Sequence, residues 1–304
     1  MIFSRMYNYV RSRQLEGTYP GSPNTGAWIS TCMRVMKGWG VLEEKLWPYD
    51  GDANHWPPIE PQGIDLQAKA RRILAYQRVS TVDECRIMLA SENPMMVAFE
   101  IDDSWFEAPK GIIPIPDNQP ISGAHTVYLI GYDDGAQRFI FPNSWGTAWG
   151  DAGYGYLPYS YFPGRFLEGW TITVPDSPPS MRNSAQIEFR TWGIKDLFDD
   201  ILHGAEIVDT MEDEIIAWGF AIERSSSLEL EELFVRPNWR MRGYASQLTT
   251  EFSQLATRLG KQLRAWIPHS DAGKRNQPAL NAVLRCLGLS RHPSPVRWAA
   301  AVGA

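Results

Sequence analysis

A chain of 304 residues with 44% hydrophobic and 21% charged side chains has the make-up of a folded soluble protein with length for two domains, not of a disordered chain. A net charge of −6 leaves no basic footprint for nucleic acid, and no apolar run reaches membrane-spanning length. Three cysteines without regular spacing argue against a disulfide framework, and no basic leader precedes an apolar core, so the expected compartment is the reducing cytoplasm.

Residues 1–13 read as a helix with one apolar stripe, Ile2, Phe3, Met6, Tyr7 and Val10. No capping residue is evident before it. With no partner in view, that stripe is an expected route to self-association. Residues 16–26, rich in Gly, Pro, Ser and Asn, read as loop. A helix over 27–38 follows and ends at Gly38; Gly40-Val41 and Trp47-Pro48-Tyr49 come next. Residues 51–61 form a Pro-rich loop, and 64–78 a strand-like or helical link. Residues 81–91 read as a helix capped by Thr81, with Glu84 three positions on. An apolar run at 95–101 is an expected strand, and 105–119 an expected loop.

Residues 123–162 are the most informative stretch. Two short runs, 127–130 and 139–141, are branched or aromatic and bounded by turn residues, which predicts a hairpin of buried strands. His125 opens the first strand and Asn143 follows the second, so the hairpin can join them across 18 positions of sequence. A His held by a side-chain amide is an oriented general base. Trp145 and Trp149 stand where they can shield that bond from water.

The run Gly-Ala-His-Thr-Val, Gly-Tyr-Asp, Asn-Ser-Trp-Gly-Thr-Ala-Trp-Gly-Asp-Ala-Gly-Tyr resembles the C-terminal half of papain-like cysteine peptidases. The helix, Gly-Val and Trp-Pro-Tyr order before it extends the resemblance over 1–174. It implies His125 as catalytic base, Asn143 as its orienter and a peptide or protein as substrate. It also implies a nucleophilic Cys about 130–150 residues before the His, a position that falls ahead of Met1. Cys32, Cys85 and Cys286 lack the nucleophile's local context, and no segment matches the family's oxyanion-hole Gln. All three cysteines read as small buried hydrophobes.

Residues 175–184 hold three prolines and three serines and read as a linker. Beyond it the pattern predicts a strand at 186–191, a helix at 194–203, and strands at 206–211, 214–223 and 228–235. In the last of these, Leu228 and Leu230 share one parity and Leu233 and Val235 the other, which requires a β-bulge near Glu231 and Glu232. A long helix at 245–259 follows a loop holding Arg240, Arg242 and Gly243. Gly243 lets backbone amides approach closely, and a helix N-terminus favours a pyrophosphate. Either Glu231 or Glu232 could take a proton from an amine. A fifth strand is expected at 264–268 and a later helix ending at Gly288.

Arg240-x-x-Gly243-x-Ala245 after a strand end Val235-x-Pro237 resembles the acetyl-CoA motif of GNAT-type N-acetyltransferases. The resemblance covers about 185–304. It implies acetyl-CoA as acyl donor, held by Val235, Arg240, Arg242, Gly243, Tyr244 and Ala245, and an amine as acceptor. It departs at Leu284, where many members carry a Tyr that protonates the leaving thiolate. The expected fold class is therefore α+β: an incomplete papain-like domain over 1–174, then a GNAT-like α/β domain with a central mixed sheet over 185–304. Three functions stay open: acyl transfer with or without peptidase activity, peptide binding by a peptidase-derived cleft, or an incomplete peptidase domain from a misassigned start.

Overall fold

A computed structural model describes residues 2–22, 25–116, 119–174, 187–195, 201–240, 242–266, 289–291 and 297–300. In chain order the first half holds α1 (Arg5–Glu16), α2 (Ile29–Gly38), α3 (Ile64–Lys69), β1 (Ala75–Arg78), α4 (Val82–Ala90), β2 (Met95–Ile101), α5 (Ser104–Glu107), β3 (Gly123–Leu129), β4 (Gly131–Asp133), β5 (Arg138–Pro142), β6 (Tyr154–Pro158), α6 (Phe162–Arg165) and β7 (Phe166–Thr173). The second half holds β8 (Ile187–Lys195), β9 (Ile201–Asp209), β10 (Glu214–Glu223), β11 (Ser227–Val235), α7 (Tyr244–Leu259), β12 (Gln262–Trp266), β13 (Leu289–Arg291) and β14 (Arg297–Ala300). Among the described residues no helix is long and apolar enough to cross a membrane.

Compactness divides the chain otherwise than the linker at 175–184, which lies outside the described residues. One unit joins 1–75 to 174–304, and the other is 76–173. In the contiguous unit, β1, β7, β2 and β3 form one sheet in that order, and β4, β5 and β6 a second. Helix α4 opens on the predicted capping box: Glu84 N–H donates to Thr81 Oγ1 and Thr81 N–H to Glu84 Oε2.

The discontinuous unit is built on a seven-stranded mixed sheet, β13-β14-β12-β11-β10-β9-β8. Strands β8 to β11 run antiparallel, and α7 carries the chain across to β12, which pairs parallel with β11. The bulge stands where parity demands it. Phe220 faces Glu232 and Ala221 faces Leu230, so Glu231 is the extra residue. Its insertion keeps Leu228, Leu230, Leu233 and Val235 on the face that packs against Leu248 and Phe252 of α7. Glu232 and Phe234 turn to the opposite face.

That opposite face takes α2. A Cβ on Gly38 would stand 2.9 Å from the Trp218 ring, so the helix lies close on β10. Two ion pairs tie it down. Arg34 donates to both carboxylate oxygens of Glu232 at 3.1 to 3.3 Å, and Lys37 Nζ donates to Glu206 at 2.6 Å. Arg236 stacks on Trp39 at 4.0 Å.

Two expectations are corrected here. The first helix is capped: Ser4 Oγ accepts Tyr7 N–H at 3.0 Å, and the helix runs over Arg5–Glu16. Its stripe is not open for self-association, because Met6, Tyr7 and Val10 are buried against Val35, Leu42, Trp47, Ile64 and Ala68; Ile2 and Phe3 alone of that stripe stay exposed. The helix expected at 194–203 is strand at both described ends, where Ile194 pairs with Leu202 and Lys195 with Ile201. Cross-strand packing overrides local pattern here: the Trp192 ring fills the space a side chain at Gly204 would take. The later helix, with Leu284, Cys286 and Gly288, lies outside the described residues, as do 267–268 of the fifth strand.

Candidate active site

His125 sits on β3 opposite Phe99 of β2, and Asn143 directly follows β5. The chain turns back after β4, so that Gly131 faces Ile140 and Ile130 N–H donates to Ile140 C=O. This return brings His125 Nε2 to 2.9 Å from Asn143 Oδ1. The amide's orientation is fixed from its own backbone, because Ser144 N–H donates to the same Oδ1 at 2.8 Å. That oxygen accepts, so Nε2 of His125 carries the proton and Nδ1 carries the lone pair. The result is an oriented base. Asn143 Nδ2 is buried with no hydrogen-bond partner among the described residues.

Aromatic rings enclose the pair. Trp145 stacks on the imidazole at 4.7 Å, and Phe106 stacks on the far face of that indole at 4.9 Å. Trp149 meets Trp145 edge-on, and its Nε1 donates to Trp105 C=O at 2.8 Å. Trp105 was hidden in what the sequence presents as loop. It is fully buried on α5, stands edge-on to His125 at 5.9 Å, and donates from Nε1 to Tyr161 Oη at 2.8 Å. The available sequence signal was Asp102 followed by Ser104, whose N–H and Oγ both bond back to Asp102 and start the turn.

Burial holds the His125 pKa below its usual value, and the Asn143 bond pulls it partly back. The folded chain then binds fewer protons at this site than the unfolded chain just below about pH 6.5, and stability falls as pH drops through that window. Urea unfolding at stepped pH should show this slope, and His125→Phe should flatten it; an unchanged slope in the variant would refute the assignment.

Within the unit that holds His125, no thiol reaches this base among the described residues. Cys85, the one cysteine of the unit, is buried on α4 with its thiol pushed up by burial and by Glu84. Cys32 belongs to the other unit, where Ser12 Oγ meets its sulfur at 3.4 Å. Cys286 lies outside the described residues.

The second candidate site is assembled in part. Gly243 starts α7 with φ +83° and no side-chain cap, so first-turn N–H groups stay open to an anion. Arg240 Nε donates to Val235 C=O at 3.2 Å, and Arg242 lies over the Trp239 ring at 4.7 Å. Tyr244 packs towards Trp239, and Ala245 C=O accepts from Thr249. The β11–β12 ladder stops at Leu230 and Ala265, so 232–235 have no β12 partner among the described residues. These residues fit a pyrophosphate and an extended arm. Glu232 does not fit the role of base: it is 5% exposed and held by Arg34. Glu231, the extra bulge residue, is half-buried.

Residues 18–160 match the family described as papain family cysteine protease. An uncharacterised peptidase C1-like protein of Acanthamoeba polyphaga mimivirus is 30% identical over 191 residues, which cover 58% of this chain and 60% of that protein. A cathepsin B-like protein of Giardia intestinalis is 29% identical over 140 residues, 42% of this chain and 45% of its own. The crystal structure of xylellain, a cysteine protease from Xylella fastidiosa, matches with TM-score 0.52 at 29% identity, over 57% of this chain and 70% of that one. The chain thus spans about half the length of the curated relatives it matches. None of these findings carries the GNAT-type resemblance. Residues 18–160 thus resemble the papain family, and a papain-like α+β fold is shared over about 57% of the chain.

Proposed function

We propose that the papain-like domain acts on peptides, with His125 as base and Asn143 as orienter, and that cleavage uses a thiolate supplied by residues other than these 304. The observation that carries this is the 2.9 Å Nε2 to Oδ1 bond, which leaves the Nδ1 lone pair for a thiol proton. In that reaction a sulfur deprotonated by His125 attacks the peptide carbonyl, and the imidazolium returns the proton to the leaving amine. Without the thiol, the same domain binds peptides and leaves them whole. The test is turnover of blocked fluorogenic peptides by the 304-residue chain and by the protein isolated from its native source. Alkylation-sensitive turnover by the native protein alone is the expected result. Alkylation-sensitive turnover by the 304-residue chain would overturn the outside thiol, and no turnover by either would overturn peptidase function and leave binding.

A second reading is favoured by the bulge and the open start of α7: acyl transfer from acetyl-CoA to an amine. Acetyl-CoA supplies the thioester. In this reading Gly243 and the first-turn N–H groups of α7 hold the pyrophosphate beside Arg240 and Arg242. The edge of 232–235 lies along the extended arm, and Glu231 takes the amine proton. Calorimetry with acetyl-CoA tests it, and absence of binding removes it.

A further inference from the structure

The mixed sheet carries a second oriented histidine, on its α7 face. His203 of β9 holds Nε2 at 2.7 Å from Glu223 Oε2, and Lys261 Nζ lies 2.9 Å from the other oxygen of that carboxylate. His203 and Lys261 hold the Glu223 carboxyl below its usual range, so it stays ionised and accepts. The carboxylate accepts at Nε2, so the neutral form of the ring keeps its lone pair on Nδ1. Nδ1 lies over Gly193, the residue paired with His203 on β8; a Cβ there would stand 3.4 Å from it.

His203 and Gly193 line a cavity of about 240 Å³ between β8, β9 and α7. Phe252 and Leu255 make its apolar wall, and Thr191 and the Glu251–Arg258 pair stand at its rim. The volume equals roughly eight waters at about 30 Å³ each. It is also below the roughly 300–1,000 Å³ of a site for drug-sized ligands. The walls offer acceptors: the Nδ1 lone pair, the Thr191 hydroxyl and the Glu251 carboxylate, the last shared with Arg258 at 3.1 Å. The aromatic face of Phe252 also favours a cation.

We infer that this cavity binds a compact primary amine of about ten non-hydrogen atoms, with its ammonium on His203 Nδ1 and its apolar body against Phe252 and Leu255. His203 stands two strands from the bulge in β11, so this site is separate from both sites described above.

Tyramine is the probe and 4-hydroxyphenylacetate its acidic counterpart, titrated calorimetrically into the full 304-residue chain. Tyramine should bind saturably, and the acid at least tenfold more weakly. His203→Phe removes the lone pair, and Gly193→Val places methyl groups in the cavity; each should weaken tyramine at least tenfold. The ¹⁵N signal of His203 Nδ1 should move on titration of the unaltered chain, a readout that does not depend on either variant folding. No tyramine binding, equal binding of the acid, or an unmoved Nδ1 signal would overturn the inference.

Discussion

Arg34→Ala should destabilise the protein by about 3–5 kcal/mol, read as a fall in the urea midpoint at unchanged slope. The side chains of Arg34 and Glu232 are 10% and 3% exposed, so neither charge has water to fall back on. Among the described residues Glu232 keeps one other donor, Leu233 N–H at 3.1 Å. Truncating Arg34 leaves an uncompensated carboxylate against Phe234 and Trp218, and that desolvation sets the size of the loss. The converse follows from the same physics. Changing both partners, Arg34→Met with Glu232→Leu, should recover most of the loss, because a buried pair adds little over apolar side chains of like volume. An Arg34→Ala variant within 1 kcal/mol of the parent would show, by the same reasoning, that water reaches Glu232.

Trp105→Ala should cost a similar amount, about 3–5 kcal/mol, as expected for emptying a filled aromatic site. The indole is wholly buried, and its Nε1 supplies the hydrogen bond to Tyr161, whose hydroxyl donates in turn to Glu100 C=O at 2.9 Å. The variant also moves the base. Trp105 is one wall around His125, and burial is the main force lowering that pKa. Opening the wall should raise the His125 pKa towards about 6.5, followed by the ring protons in an NMR titration. A stability loss with an unmoved His125 pKa would mean that Trp145 alone keeps the ring dry.

Features set by near neighbours in the chain could be read in advance. The chain reversal that brings Asn143 to His125 shows in two apolar runs with turn residues between them, although the expected pairing of those two runs gives way to a β4–β5 hairpin while β3 pairs with β2 in the other sheet. The capping box needs only Thr81 and Glu84, and the bulge at Glu231 is a parity change within eight residues. What could not be read depends on partners far along the chain. The helix expected at 194–203 gave way to strand because Trp192 needs the bare backbone of Gly204 opposite it. The first helix looked uncovered because its partners lie at 35–68. Glu232 looked like a free base because Arg34 stands 198 positions away. Trp105 gave no periodic signal, as its helix is a single turn.

The unit assembled from both ends of the chain has a consequence for synthesis. Arg34 and Lys37 leave the ribosome early, and their carboxylate partners follow 198 and 169 residues later. At about 5–20 residues per second, the longer wait is roughly 10–40 s. Through that interval α2 has its charges hydrated and its sheet-facing side unmatched, whereas residues 76–173 are already complete and contiguous. The piece made in the middle can thus be the first to fold, and the sheet-facing side of α2 stays open to a nascent-chain chaperone until β9 to β11 emerge.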